Sequence, residues 1–270
     1  MAVKQIENLL DLLEFFAERQ RPATLADVVS HFDWPRSSAF NILSTLSEQG
    51  YLYEPRARAG YYPTPRWSQL AAGFAQGEPI PGRLIRVMME LAAETNETVC
   101  ISAPSGLHAV FLDVIESPAS IRYAAQPGKR VPIHATASGQ ALLSQYPENS
   151  LDVLLRKVNF ERYGPGTPIS SDEVLAQIET GRRRGWFQSA SHFSPDLGGV
   201  AVPVADNSRI FGITIAGPLF RVGDKAEHHA ILLHKAIDRI FGEGHSLRTL
   251  TNFDVPVLTQ PTRIYKSDQR

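Results

Sequence analysis

Phe40 and Asn41 are the residues whose types and setting most plainly ask for a partner outside the chain. They lie between Pro35-Arg36-Ser37-Ser38-Ala39 and Ile42-Leu43-Ser44. At helical spacing Ala39, Ile42, Leu43 and Leu46 form one apolar face. Ser37, Asn41, Ser44 and Glu48 then share the opposite face, with Phe40 beside them. An Asn amide can bond both edge atoms of an adenine in the major groove of DNA, and an aromatic ring can meet a thymine methyl. A good bidentate pair is worth about 1–3 kcal/mol of discrimination. The alternative is that Phe40 folds sideways onto neighbouring structure. Arg36, Ser37 and Ser38 suit phosphate contact, and the two serines also suit a helix cap. Arg56 and Arg58, with Gly60, occupy the tip between Tyr51-Leu52-Tyr53-Glu54 and Tyr61-Tyr62-Pro63-Thr64. Two guanidinium groups in a hairpin tip are placed for phosphates or a minor groove; a solvated turn is the plainer alternative.

Other chemistry is poorly supplied. Ala137-Ser138-Gly139 lacks the first glycine of a Gly-x-Ser-x-Gly nucleophile elbow. His134, His192 and Asp196 stand at no triad spacing around it. No catalytic residue is expected, and Ser138 reads as a helix-opening residue; a small-molecule hydrolase is kept as the distant alternative. His228, His229 and His234 share a helix at gaps of one, five and six residues. Metal-binding helices place two imidazoles four apart on one face, so no metal site and no cofactor are expected. Cys100 is the single cysteine, which excludes an intramolecular disulfide, and its apolar surroundings predict a buried, inert thiol.

These residues need elements to hold them. Thr24-Leu25-Ala26-Asp27 predicts a capping box, Asp27 being a weaker third-position partner than Glu or Gln. Leu25, Val28, Val29 and Phe32 continue as one stripe, Asp33-Trp34-Pro35 breaks it, and Gly50 ends the next helix in a left-handed cap. The result is two short helices, a turn and a wing. An amphipathic helix carrying Val3, Ile6, Leu9, Leu10, Leu13, Phe16 and Ala17 precedes them. Trp67 to Ala75 predicts a short helix between breaks, a linker.

With 270 residues, 43% of them hydrophobic, there is material for two domains. Beyond Gly82 the pattern predicts a helix, strands Thr98 to Ala103, Leu107 to Ile115 and Ser120 to Ala125, and helices Ala137 to Tyr146 and Ser171 to Arg184. Strands Val200 to Val204 and Ile210 to Ala216 and a closing helix Lys225 to Phe241 follow. Strands and helices in mixed order predict an α+β fold with an antiparallel sheet. Residues 251–270 lack periodicity and read as a tail. The expected divisions are 1–66, 67–81, 82–250 and 251–270.

The net charge of −1 gives DNA binding no support, and residues 1–66 hold seven Lys/Arg against eight Asp/Glu. Placement matters more than the sum. Glu7, Asp11, Glu14 and Glu18 lie on the first helix, while Arg36, Arg56, Arg58 and Arg66 lie on the second helix of the pair and the wing. Use of the helix pair for protein contact stays open on this charge balance. No secretory leader and no membrane span are read, so a cytoplasmic protein is expected.

The chain resembles the IclR family of bacterial transcriptional regulators. The resemblance rests on Thr24-Leu25-Ala26-Asp27, Trp34-Pro35-Arg36-Ser37-Ser38-Ala39-Phe40-Asn41-Ile42-Leu43, Leu46 and Gly50-Tyr51-Leu52. It continues through Glu94-Thr95-Asn96-Glu97-Thr98-Val99, the run from Gly128-Lys129-Arg130 to Ala137-Ser138-Gly139, Arg183-Arg184-Gly185, Val200-Ala201-Val202-Pro203-Val204 and Gly217-Pro218. It implies a winged helix-turn-helix, a linker helix and a GAF-like effector domain. It also implies homodimers or homotetramers on palindromic double-stranded operators, acting as repressors or activators and answering to small organic acids or aromatics. By position it implies an effector pocket at Thr136, Ala137, Ser138, Ser189, Gly199, Thr214 and Ala216. Members that bind 2-oxo acids tend to offer an Asp, a Cys and two Ser at the last four positions. Their usual acidic pair before Val200 is replaced here by Ser191-His192. A larger or less charged effector, such as an aromatic, is therefore expected. Asn41 stands where family members commonly carry Arg, which implies a changed operator sequence.

Overall fold

A computed structural model describes residues 3–77 and 79–246; the expected tail at 251–270 lies outside them. The chain divides into two compact units, Met1–Pro79 and Ile80–Arg270.

The first unit holds α1 (Lys4–Arg19), α2 (Leu25–Phe32), α3 (Arg36–Glu48), β1 (Leu52–Tyr53), β2 (Tyr62–Pro63) and α4 (Arg66–Ala75). Thr24 caps α2 with the full reciprocal box: the Asp27 amide donates to Thr24 Oγ1 at 3.1 Å, and the Thr24 amide donates to Asp27 Oδ2 at 2.8 Å. Asp33, in the left-handed conformation, turns the chain from α2 toward α3. The core gathers Leu12, Phe15 and Phe16 of α1, Val28, Trp34, Ala39, Leu43, Leu46 and Leu52. Helix α1 meets this core through Leu12, Phe15 and Phe16, while Val3, just before the helix, and Ile6 and Leu10 on its other side stay 56%, 57% and 55% exposed. The helix is apolar on two sides, and periodicity alone does not tell which side meets a neighbour.

The second unit runs α5 (Gly82–Thr95), β3 (Thr98–Ser105), β4 (His108–Ile115), β5 (Arg130–Pro132), α6 (Ala137–Leu143), α7 (Glu148–Leu155) and α8 (Ser171–Arg184). It continues with β6 (Phe187–Ala190), β7 (Leu197–Asp206), β8 (Arg209–Pro218), α9 (Leu219–Val222) and α10 (Ala226–Phe241). The strands form one antiparallel sheet in the order β5-β4-β3-β8-β7-β6. Alternation decides what each face meets. Val99, Ile101, Val200, Val202, Val204, Ile213 and Ile215 pack with Leu84, Met88 and Leu91 of α5 and Leu233 and Ile237 of α10. The intervening residues, Cys100, Ala201 and Phe187 among them, face the layer that contains α6.

The expected strand at Ser120 to Ala125 is absent; the segment is irregular. Thr98 Oγ1 donates to the Tyr123 carbonyl at 2.7 Å and so takes the acceptor a strand partner would need. The edge beside β4 goes to β5 instead, with Val110 opposite Arg130. The helix expected to reach Tyr146 ends at Leu143. Gly139, inside α6, is there for close approach: a Cβ on it would stand 2.0 Å from the Ile133 carbonyl oxygen.

Candidate functional site

Two sets of residues were singled out by sequence, one in each unit. In the first unit Phe40 does not fold sideways; it is 52% exposed on α3, beside exposed Asn41. Arg36 and Ser37 are exposed as well, and Ser38 and Ser44 half-buried. Ser44 Oγ donates to the Asn41 backbone carbonyl at 3.2 Å, so it does not occupy the Asn41 side-chain amide. The serines do not cap α3. The cap position is Pro35, without a side-chain bond, and Ser37 and Ser38 fall within the first turn. Their hydroxyls are thereby left for an external acceptor.

Arg56 and Arg58 are exposed at the wing tip, with Arg58 in the left-handed conformation at φ 62°. The wing is anchored by more than its own two strands. Ala23 and Tyr61 exchange backbone hydrogen bonds of 2.9 and 2.8 Å, which ties the returning arm to the entrance of α2. Arg66, read from sequence as a wing cation, has a different task. Its Nη1 donates to the Gln49 carbonyl at 2.6 Å, at the end of α3, and its guanidinium lies 4.4 Å from the Tyr51 ring centre. Trp67 Nε1 donates to the Tyr51 carbonyl at 3.1 Å. The start of α4 is thus fastened to the exit of α3.

In the second unit, strand register brings the expected pocket residues together. Ser189 pairs with Gly199, Gly199 with Ala216 and Ala216 with Thr98; one step along, Ala201 pairs with Thr214 and Thr214 with Cys100. Directly opposed residues share a face. A Cβ on Gly199 would lie 3.0 Å from Ser189 Oγ, 3.6 Å from Ala137 Cβ and 3.8 Å from Thr214 Cγ2. Ser189, Ala137 and Thr214 therefore converge on one glycine. Thr136 caps α6, accepting from the Gly139 amide at 3.1 Å and from Ser138 Oγ at 3.3 Å. Its hydroxyl and that of Ser138 are spoken for. Thr214 Oγ1 is not: it is buried without a hydrogen-bond partner. An unmade bond of this kind costs about 1–3 kcal/mol, which sets Thr214 apart from the rest of the set.

Three residues that sequence reasoning did not single out meet beside the cluster that holds Cys100. Lys129 Nζ lies 4.9 Å from the Tyr123 ring centre and 5.9 Å from that of Phe193. Tyr123 packs edge-on against Phe111, at 6.4 Å and 87°, in the cluster that holds Cys100. Burial pushes the Cys100 thiol up to about 12, and the Lys129 charge acts on it in the opposite sense. Lys129 belongs to a run quoted for the family resemblance, but only its fold contacts reveal where its side chain goes. A groove of about 330 Å³ lies nearby, lined by Gln140, Gln177, Thr180, Gln188, Ala190 and His192 among others. None of the seven expected pocket residues forms its wall.

The rival chemistries find little geometry. Ser138 Oγ bonds Thr136, while the His134 ring lies against Phe160 at 5.3 Å with Nε2 unpartnered. The His228 and His229 rings are 6.1 Å apart at 49°, and His234 Nδ1 pairs with Ser246 Oγ at 2.8 Å. Among the described residues, no helix is long and apolar enough to cross a membrane.

Residues 5–56 match the IclR helix-turn-helix domain, and residues 76–240 match the C-terminal domain of bacterial transcriptional regulators of the IclR type. The HTH-type transcriptional regulator KdgR of Dickeya chrysanthemi is 26% identical over 245 residues, covering 88% of this chain and 79% of that protein. The transcriptional repressor IclR of Escherichia coli strain K12 is 24% identical over 230 residues, covering 83% and 84%. Among solved structures, Thermotoga maritima IclR superposes with a TM-score of 0.71 at 21% identity, over 88% of this chain and 99% of that one. An IclR homologue from Microbacterium hydrocarbonoxydans complexed with 4-hydroxybenzoate gives 0.63 at 18% identity, over 87% and 99%.

Proposed function

The chain belongs to the IclR family of bacterial transcriptional regulators, and from that premise we propose the working parts of a ligand-responsive DNA-binding regulator. It binds a palindromic double-stranded operator as a homodimer, or as a pair of dimers, in control of a catabolic operon in the cytoplasm. Residues 1–66 hold the DNA, 67–81 link and 82–250 receive the effector. Phe40 and Asn41 read base edges in the major groove. Arg36, Ser37, Ser38 and Ser44 meet phosphate beside them, and Arg56 and Arg58 extend the contact from the wing.

The observation that carries this reading is the exposed Phe40-Asn41 pair on the outward face of α3. A large ring at 52% exposure costs solubility unless something covers it in use. Fragments of the source genome selected for binding would supply the operator. Against it, Phe40→Ala and Asn41→Ala are expected to lose about tenfold or more in affinity, with preference relaxed at one base pair. Unchanged affinity and preference in both would refute the base-reading roles. Wild-type binding should fall steeply with salt as counterions are released; a helix pair that serves a protein partner would not show that slope with DNA.

The effector site is formed by Thr136, Ala137, Ser138, Ser189, Gly199, Thr214 and Ala216. Support comes from the convergence of Ser189, Ala137 and Thr214 on Gly199, and from the unpartnered Thr214 hydroxyl. A relative of the same fold was solved with 4-hydroxybenzoate, and an aromatic or other small organic acid is the class assigned here. Binding of that effector shifts operator affinity by a coupling of about 1–3 kcal/mol.

A further inference from the structure

We propose that the groove at the free edge of β6 is a second ligand site, apart from the effector residues named above, and that it takes an uncharged planar heterocycle of the nucleobase class. Strand β6 is the last of its sheet, so one of its edges meets no other strand. The Ser191 amide donates to the Leu197 carbonyl at 3.0 Å. Bonded and unbonded pairs alternate along an antiparallel ladder. Ser189 and Phe187 therefore also bond toward β7, while Gln188 and Ala190 turn their backbone amides and carbonyls outward. These two residues line the groove of about 330 Å³.

An open strand edge invites another strand, but this one is too short for it. At one end Arg184 Nε donates to the Trp186 carbonyl at 2.6 Å. At the other the Gly166 amide donates to the Ser191 carbonyl at 3.0 Å, and a Cβ on Gly166 would stand 2.3 Å from the Ala190 carbonyl oxygen. Between these stops remain the Gln188 amide, the Gln188 carbonyl and the Ala190 amide: a donor, an acceptor and a donor. A small ring with a lactam or imide edge can meet that row; a peptide cannot run along it.

The wall selects a ligand that is neutral, flat and rich in hydrogen bonds. Three side-chain amides, Gln140, Gln177 and Gln188, line the groove with Thr180 and His192, and among the described residues of the wall Arg184 carries the only ordinary charge. Buried Gln140 commits its Nε2 to the His134 carbonyl at 3.2 Å and to Gln177 Oε1. Gln140 Oε1 is left as an acceptor and Gln177 Nε2 as a donor. The Gln188 side chain makes no hydrogen bond among the described residues, and a free Gln amide can bond a base edge at two points. Burial lowers the His192 pKa, so its ring is uncharged at neutral pH. Arg184 supplies a plane as well as a charge. Its guanidinium lies 3.8 Å from the Trp186 ring centre, and Trp186 does not line this groove. The guanidinium face turned from the indole is the one available to a second ring. The volume stands at the small end of ligand sites, which suits a single base.

The test uses the full-length protein with uracil, hypoxanthine and adenine, each against its N-methylated form, read by thermal shift and titration calorimetry. At least one base is expected to bind, at least tenfold more tightly than the form whose donors are blocked. Arg184→Lys keeps the charge and removes the plane; Gln188→Leu removes the side-chain amide. Each should weaken that base at least tenfold, with the ligand-free melting temperature unchanged. Thr214→Val, at the proposed effector face, should bind the base as the wild type does. Failure of all three bases, blocked forms that bind equally, or Arg184→Lys and Gln188→Leu variants that both bind as the wild type does would each overturn the proposal. Inorganic phosphate that binds where no base does, and still binds Arg184→Lys, would make the groove an anion site instead. Loss of base binding in Thr214→Val would overturn its separation from the effector face.

Discussion

A Cβ on Gly60 would stand 2.4 Å from the Ala23 carbonyl carbon and 2.5 Å from its oxygen, and the residue sits at φ 90°. Both facts exclude a side chain: the conformation is unfavourable for L-residues, and the space is already filled by backbone. Gly60→Ala is therefore expected to destabilise the first unit by about 2 kcal/mol or more, from strain plus overpacking. Chemical denaturation should show the loss as a lowered midpoint. Operator affinity should fall further than for Arg58→Ala, because the whole returning arm of the wing is displaced, not one contact. At the same scale, Lys129 and Arg130 show how little residue type decides. Two neighbouring cations take opposite directions because one is strapped at its carbonyl to β4 while the other is held at its guanidinium by Ser105 and His108.

Helix α2 is eight residues long, too short to stand on propensity alone, so its cap carries weight. Thr24→Ala is expected to cost about 1 kcal/mol. The bond from the Thr24 backbone, then the Thr24 hydroxyl and Arg19, hold the Asp27 carboxyl below its ordinary range. Asp27 contributes fully above the pKa it has unfolded, and that contribution fades as pH falls through the lowered folded value. The gap in stability between wild type and Asp27→Asn should accordingly be widest at neutral pH and shrink in acid, as measured by denaturation across pH. This element was legible because its signals are local: the box, the break at Asp33, the glycine after α3. The same holds for α8 and for the paired strands β7 and β8. What failed to show was decided at a distance. The apolar side of α1 that meets the core depends on Leu43 and Trp34, not on α1. Ser120 to Ala125 alternates like a strand, but its Tyr123 carbonyl is claimed by Thr98. Strand β6 has four residues and is defined by its partner. The row of Ser189, Gly199, Thr214 and Ala216 came into view through family positions, and register explains why it shares one face; the meeting of Tyr123, Lys129 and Phe193 came from neither, since the fold alone makes it.

For the molecule as a whole, charge and exposed apolar surface describe how it must be used. A chain of net charge −1 has little general attraction for DNA, which is why the function proposed above sets two copies on one operator. The first unit has exposed apolar surface on which the proposed pairing of copies can be tested: Val3 just before α1, Ile6 and Leu10 on it, and Phe74 on α4, which is 74% exposed on a helix without a buried residue. Leu10→Glu combined with Phe74→Glu is expected to shift the protein toward monomer in sedimentation velocity and to weaken operator binding well beyond either change in a single half-site. Unaltered sedimentation would place the joining surface elsewhere. The fastening of α4 to α3 then acquires a mechanical meaning. Arg66 and Trp67, with the Tyr51 ring beside both, weld the base of α4 to the Gln49 and Tyr51 carbonyls just after α3. The two helices form a bent crank, with exposed Phe40 and Asn41 on one arm and the length of α4 as the other. Torque applied to α4 would turn the face that carries Phe40 and Asn41; a loosened weld, as in Arg66→Ala, would let the handle spin while the blade stays still.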